Sequence, residues 1–256
     1  MSNTISLSVV IPAHNEEGSI KETIESVSAA LQRAAISYEI IVINDHSTDG
    51  TAAVLEALMA RIPTVHVLLN GGSPGYGRAV ATGLDAFRGD YVVIMMADHS
   101  DDPEDMVRFW KMARQKGCDC VFGSRFMPGG KVLDYPKHKL VLNRFGNNLV
   151  RLLFHLSYND CTNAFKLYSK ETISGLRPFL SAHFNLTLEL PLKAIIRGYS
   201  YQVVPNSWRN RKAGISKLKI REMGSRYLFI LLYCLIERHL SRGDFQKKRP
   251  VEAVNA

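Results

Sequence analysis

An α/β fold is predicted, with a mostly parallel central sheet covered by helices on both faces and a C-terminal helical extension. Three features of the 256-residue sequence point to it. Four short apolar runs rich in β-branched residues recur through the first half; helical stretches separate them; and each run is nearly continuous rather than alternating, the signature of strands buried on both faces. The composition agrees: 46% of the side chains are apolar and no low-complexity run occurs, so the chain can bury a sizeable core.

The first run, ISLSVVIP (Ile5 to Pro12), leads into EEGSIKETIESVSAALQRA, where Ile20, Ile24, Val27 and Leu31 recur at helical spacing. The second, YEIIVIND, ends at Asp45, and STDGTAAVLEALM opens the next helix. TVHVLLN (Thr64 to Asn70) and DYVVIMMAD (Asp90 to Asp98) are the third and fourth. Beyond GSRFMPGG the pattern changes to a basic helix (KLVLNRFGNNLVRLLFHL), a short segment NDCTNAFKLYSKE, a helix around NLTLELPLKAIIRG and a strand SYQVVP. A basic loop, SWRNRKAGISKLKI, and an apolar helix, MGSRYLFILLYCLIERHL, complete the chain.

The formal charge of +8 is concentrated in the second half: residues 209 to 226 carry seven Lys or Arg against one Glu, and residues 137 to 151 carry four with no acid. Such a surface suits phosphorylated substrates or an anionic membrane. No helix-turn-helix or aromatic sheet motif adjoins it, so nucleic acid is not an expected partner. Four cysteines without zinc or disulfide spacing, and a start without a secretory pattern, predict a reduced cytoplasmic protein.

In parallel sheets ligands bind beyond the carboxyl ends of the strands. That rule gathers His14, Asn15, Glu16, Asp45, the NGGSPGYG loop and Asp98 on one edge. Asp45 can accept hydrogen bonds from a base or ribose, whereas Ser47 and Asp49 are explained as caps and turn formers. The Gly71 to Ala79 loop, with Gly75, Gly77 and Arg78, allows close approach to phosphate but equally serves as a plain turn. In ADHSDDPED, Asp102 reads as an N-cap, Pro103 as the first helical residue, and Glu104 and Asp105 as acids favoured by the helix dipole. None of this explains Asp98, a carboxylate ending a buried strand, for which a hard divalent ion is a natural partner.

Taken in order, SVVIPAHNEEGSI, EIIVINDHSTDGT, GYGRAVATG, YVVIMMADHSDDPED, GSRF and WRNRKAGISKL resemble the inverting family 2 glycosyltransferases of GT-A fold, in particular the dolichyl and polyprenyl phosphate mannose synthases. The resemblance implies a nucleotide-sugar donor, a polyprenyl phosphate acceptor, inversion, and Mg2+ or Mn2+ as cofactor. It implies that Pro12, Asn15, Glu16 and Asp45 hold the nucleotide, that Ala97 and Asp98 belong to the acidic motif, and that Arg125, Arg211, Ser216 and Lys217 contact phosphates. His14, Gly75, Gly77 and Arg78 are added as nucleotide contacts, Asp101 as a second metal ligand and Arg144 as an acceptor-phosphate contact.

One departure stands out: Met96 occupies the position of the family's first motif Asp, and Ser100 that of its Gln. A thioether is a poor ligand for a hard cation, so either Asp98 works with Asp101 and the substrate diphosphate, or metal binding is weaker than in the family. The expected organisation is a catalytic domain over 1–226 (nucleotide half 1–125, acceptor half 126–226), then an apolar helix and basic tail over 227–256. The uninterrupted apolar run Tyr227 to Ile236 would extend only about 15 Å as a helix, too short for a ~30 Å hydrocarbon core. Its flanking arginines predict a peripheral position on the cytoplasmic face of a membrane, directly or through a membrane-anchoring partner protein. Transfer to a hydroxyl acceptor, with Asp101 or Asp160 as base, and a non-catalytic nucleotide-sugar-binding protein remain as alternatives.

Overall fold

The computed structural model describes residues 5–210 and 220–247, the side chains of 220–223 excepted. Arg211, Ser216 and Lys217 therefore lie outside the described residues.

Seven strands form one sheet in the order β3-β2-β1-β4-β7-β5-β8. The first four, β1 (Leu7–Ala13), β2 (Tyr38–Asn44), β3 (Val65–Leu69) and β4 (Tyr91–Ile94), are the four apolar runs and pair in parallel. The strands β5 (Cys120–Ser124) and β8 (Tyr201–Pro205) are parallel to each other. Between β4 and β5 lies β7 (Lys166–Ser169), antiparallel to both. It comes from the NAFKLY segment, whose strand character the sequence hid. Four residues beginning with a lysine make a weak strand signal, and this lysine is buried, with its ammonium donating to the main-chain oxygens of Cys161, Asn163 and Thr187.

Side chains alternate across the pleat and build two cores. On one face Val9, Ile11, Ile40 and Val42 pack under α1 (Ile20–Arg33), α2 (Thr51–Arg61) and α4 (Pro103–Lys116). The four helically spaced residues of α1, Ile20, Ile24, Val27 and Leu31, are all fully buried there. On the other face Val10, Ile41 and Ile43 meet α3 (Tyr76–Ala86), and the same core takes in α5 (Lys137–Phe154), α6 (Lys170–Gly175), α7 (Leu186–Ile196) and α8 (Ile220–Leu240). A small parallel pair, β6 (Lys131–Leu133) with β9 (Ser207–Arg209), stands beside the sheet and is bridged to Asp101 through Trp208.

Helix α8 is apolar on two sides. Ile230, Leu231 and Cys234 are buried, and Arg197 clasps Glu237 with two hydrogen bonds (2.7 and 2.8 Å). Leu228, Leu232, Ile236 and Leu240, spaced four apart, are exposed, as are Val141, Phe145 and Leu152 on α5. No helix among the described residues is long and apolar enough to cross a membrane.

The amino end of the sheet is tied by one buried carboxylate. Glu39 accepts from Ser8 Oγ (2.6 Å), the Arg88 main-chain N–H (2.7 Å) and Arg88 Nε (2.8 Å). Burial alone would raise its pKa, but these bonds and the guanidinium charge hold it below the usual value. A depressed acid stabilises the fold fully above the unfolded value of about 4.3 and loses that contribution as pH falls through the folded value. Glu39→Ala is expected to lose about 2 kcal/mol at pH 7, mostly from the lost charge-assisted hydrogen bonds, and the gap to the parent should narrow in urea denaturation as pH falls through the folded value.

Candidate active site

Strand polarity puts the ends of β1, β2, β4, β5 and β8 on one edge, and a cleft of about 680 Å3 opens there. Of the residues expected from sequence, Pro12, His14, Glu16 and Asp45 line it on one side. Gly75, Asp98, Asp101 and Arg125 line it as well.

The nucleotide-side residues are fixed by one another. Asp45 is buried: one carboxylate oxygen accepts from Asn70 Nδ2 (2.7 Å), the other from the main-chain N–H of Gly75 (2.9 Å). The carboxylate that ends β2 thus pins the glycine loop ahead of α3. His14 Nδ1 donates to the main-chain oxygen of Asp45 (2.5 Å), joining β1 to β2 at the cleft rim. Asn15, in the left-handed region at φ 54°, staples the same two loops by accepting from Thr48 N–H (2.7 Å), and it is exposed beside the cleft rather than lining it.

Three more expected residues stand behind the lining. The Ala97 side chain is buried in the core and its carbonyl accepts from Thr23 Oγ1 (3.0 Å). Gly77 is packed against the backbone of Ser181 and Ala182, and Arg78 turns back to the carbonyl of Pro74 (3.2 Å). Arg144 lies over the Phe126 ring (4.6 Å) rather than in the cleft. Its helix instead presents Lys139 and Asn143, one turn apart, to the cavity.

The fourth strand stops at Ile94, so Asp98 lies on the segment beyond it rather than ending it as the sequence suggested, and the acidic residues there divide as follows. Asp102 caps α4 by accepting from Glu104 N–H (2.9 Å), and Glu104 pairs with Arg33 (2.6 Å). Asp105, expected only as a dipole acid, is buried and also accepts from Ser207 N–H (2.6 Å), which fixes β9. Asp98 and Asp101 face the cleft. Asp98 accepts from Ser100 N–H (3.1 Å), and Asp101 accepts from Met96 N–H (3.1 Å). Burial pushes the Asp101 carboxyl up to about 7; the nearby Asp98 charge adds to this, while Met96 N–H and Arg125 oppose it.

Arg125 makes a bidentate pair with Asp160 (2.8 and 2.7 Å), and Asp160 also accepts Arg125 N–H (2.9 Å). Asp160 is fully buried with both oxygens engaged, which removes it as a general base. Cleft residues that the sequence did not single out are Lys139, Arg226 and Tyr227, and the aromatics Tyr76, Phe184, Tyr135 and Trp208. The Tyr76 and Phe184 rings meet tilted by 35° with centroids 4.4 Å apart, and Tyr135 meets Trp208 edge-on at 4.9 Å. These pairs join segments about a hundred and about seventy residues apart, which local pattern does not reveal; for Lys139 the excess charge of residues 137 to 151 was the available signal.

The site therefore gathers two carboxylates, Asp98 and Asp101, three cations, Arg125, Lys139 and Arg226, and several aromatic rings in one cleft, a set able to hold a diphosphate through a cation and a second phosphate by direct contact. The family model for "Glycosyl transferase family 2" matches residues 8–176. A polyprenol monophosphomannose synthase of Mycolicibacterium smegmatis is 32% identical over 216 residues, covering 82% of this chain and 80% of that protein. An undecaprenyl-phosphate mannosyltransferase of Micrococcus luteus is 29% identical over 214 residues, covering 82% and 86%. Among solved structures, glucosyl-3-phosphoglycerate synthase of Mycobacterium tuberculosis, in complex with Mn2+, UDP and phosphoglyceric acid, superimposes with a TM-score of 0.70 at 21% identity over 90% of this chain and 78% of that one. That likeness bears out the GT-A fold, and together with the family match it makes the chain a member of glycosyl transferase family 2.

Proposed function

We propose that this glycosyltransferase moves a hexose from a nucleotide-diphosphate sugar to a polyprenyl phosphate, with inversion. The observation that carries the reading is that two carboxylates, Asp98 and Asp101, and three cations, Arg125, Lys139 and Arg226, line one cleft. The names of the two mannosyl-transferring relatives support a prenyl phosphate as acceptor.

The nucleotide sits along His14, Glu16, Asp45 and Gly75, where the glycine loop is already fixed. Asp98 and Asp101 fit a divalent cation: both are oxygen donors on the same cleft edge, and Asp101 resists ionisation where it stands. No three His, Cys, Asp or Glu converge as a metal cluster among the described residues; Asp98 and Asp101 would hold the ion together with the substrate diphosphate. Met96 lines the cleft beside them and adds no oxygen. When bound, Mg2+ or Mn2+ neutralises charge developing on the leaving diphosphate. Arg125 holds its guanidinium in a fixed orientation through Asp160 and offers its remaining donors to phosphate. Arg211, Ser216 and Lys217, outside the described residues, are assigned with Arg125 to the phosphates on the strength of the motif alone. A prenyl phosphate has a second pKa near 6, so the nucleophile is already ionised near pH 7 and needs no base.

A second reading, transfer to a hydroxyl, draws support from one feature: an Asp101 carboxyl raised to about 7 is suited to accept a proton. The acceptor decides between them. With a short-chain prenyl phosphate, a nucleotide sugar and Mn2+, the parent should form a glycolipid, and Asp98→Ala should lower kcat/KM by about 100-fold or more. Full activity of the variant, or transfer only to soluble hydroxyl acceptors, would contradict the primary reading.

The exposed stripe of α8 (Leu228, Leu232, Ile236, Leu240), with the exposed apolar residues of α5, is proposed to rest on a membrane surface or on a membrane-anchoring partner. Leu232→Glu with Ile236→Glu should abolish co-sedimentation with anionic vesicles while leaving turnover of a water-soluble prenyl phosphate within about twofold. Unchanged sedimentation would remove α8 from the contact.

A further inference from the structure

Helix α7 contains an ion pair shut away from solvent: Glu189 and Lys193, one turn apart, are both fully buried and 2.6 Å apart. A solvent-facing Glu–Lys pair at this spacing contributes only a few tenths of a kcal/mol to a helix. Burying one is costly unless every remaining donor and acceptor is satisfied. Here the hydrogen-bond partners outside the pair lie in one short segment, while the Tyr233 ring of α8 stands 5.2 Å from the Lys193 ammonium. Glu189 accepts the main-chain N–H groups of Leu180 and Ser181, one on each oxygen (both 2.8 Å), and Lys193 donates to the Pro178 carbonyl (2.6 Å).

The far side of that segment touches the glycine loop at the start of α3. The main-chain oxygen of Ala182 accepts from Arg78 N–H (3.3 Å). A Cβ on Gly75 would stand 2.5 Å from that same oxygen, and one on Gly77 would be 2.7 Å from the Ala182 carbonyl carbon, so the two backbones lie in direct contact. Next along the segment, His183 and Phe184 line the cleft, with the Phe184 ring against that of Tyr76. The glycine loop is therefore gripped from two sides, by Asp45 through Gly75 N–H and by the 178–184 segment.

We propose that the buried Glu189–Lys193 pair is a positioning element for the donor side of the cleft: it sets the 178–184 segment, which in turn holds Gly75, Tyr76 and Gly77 in binding geometry. Neither side chain lines the cleft, so the pair acts through the segment and not on the substrate. The inference rests on the reading of the Gly75 edge as the nucleotide site.

Glu189→Leu combined with Lys193→Met removes both charges without stranding either, while depriving Leu180 and Ser181 of their acceptor. Titration calorimetry with uridine and guanosine diphosphates is expected to give a Kd about tenfold weaker for this double variant and about threefold weaker for Glu189→Gln, which keeps one acceptor oxygen. Donor KM should rise in parallel while kcat at saturation stays within about twofold. Leu58→Ala, a core truncation at the far end of α2, should lower stability and leave Kd unchanged. Nucleotide affinity equal to the parent's in the double variant, or in Glu189→Gln where the double variant does not fold, overturns the proposal. An equal loss in Leu58→Ala does so too, since the effect is then general destabilisation. If the unchanged protein binds neither nucleotide, the reading of the cleft fails first, and the role of the pair with it.

Discussion

Carboxylates at the ends of buried parallel strands must find partners, and the architecture of the cleft follows from how three of them do so. Asp45 meets the need within the chain, through Asn70 and Gly75. Its solution fixes the glycine loop and so shapes the nucleotide edge. Asp98 and Asp101 stand on the segment just beyond β4, where burial, and after it the nearby Asp98 charge, raise the pKa of Asp101. Two such groups are poised to gain from a cation that arrives with a diphosphate. Arg125 presents the complementary problem: it is kept charged and oriented by Asp160, whose own burial is tolerable because both its oxygens are engaged by that arginine.

The reversed strand β7 matters to this arrangement. Because it runs against β4 and β5, its amino end lies at the cleft edge, and Thr162, Asn163 and Ala164 in the segment before it become cleft floor. Lys166 holds that floor from beneath through carbonyl oxygens, and burial draws its pKa down to about 7. A lysine without a carboxylate partner survives there because its ammonium is satisfied by main-chain acceptors.

Much of the first half was legible from sequence. Helical spacing in α1 identified a buried face because one face of that helix rests on a sheet, and Asp102 with Pro103 identified the start of α4 because capping is local chemistry. Strand-end residues were legible through topology: in a parallel sheet the ends converge whatever lies between them. What sequence did not reveal depends on contacts distant in the chain. The face of α5 turned inward is set by Asn143 and Asn147, which meet Thr162, and by buried Val150 and Phe154, so Lys139 could not be preferred to Arg144 on charge alone. Asp105 looked like a dipole acid until β9 arrived to donate Ser207 N–H. Glu189 and Lys193 have the spacing of a surface pair, and only the fold over them shows that they are interior.

The central claim is that the end of β4 holds a cation between the chain and a nucleotide diphosphate, despite Met96 at the motif's first position. Anomalous diffraction at the manganese edge, from crystals grown with Mn2+ and a nucleotide diphosphate, tests it most directly. A peak within coordination distance of Asp98 and of diphosphate oxygens is the result expected. Bound nucleotide with no peak there, or with manganese held elsewhere, would contradict the account.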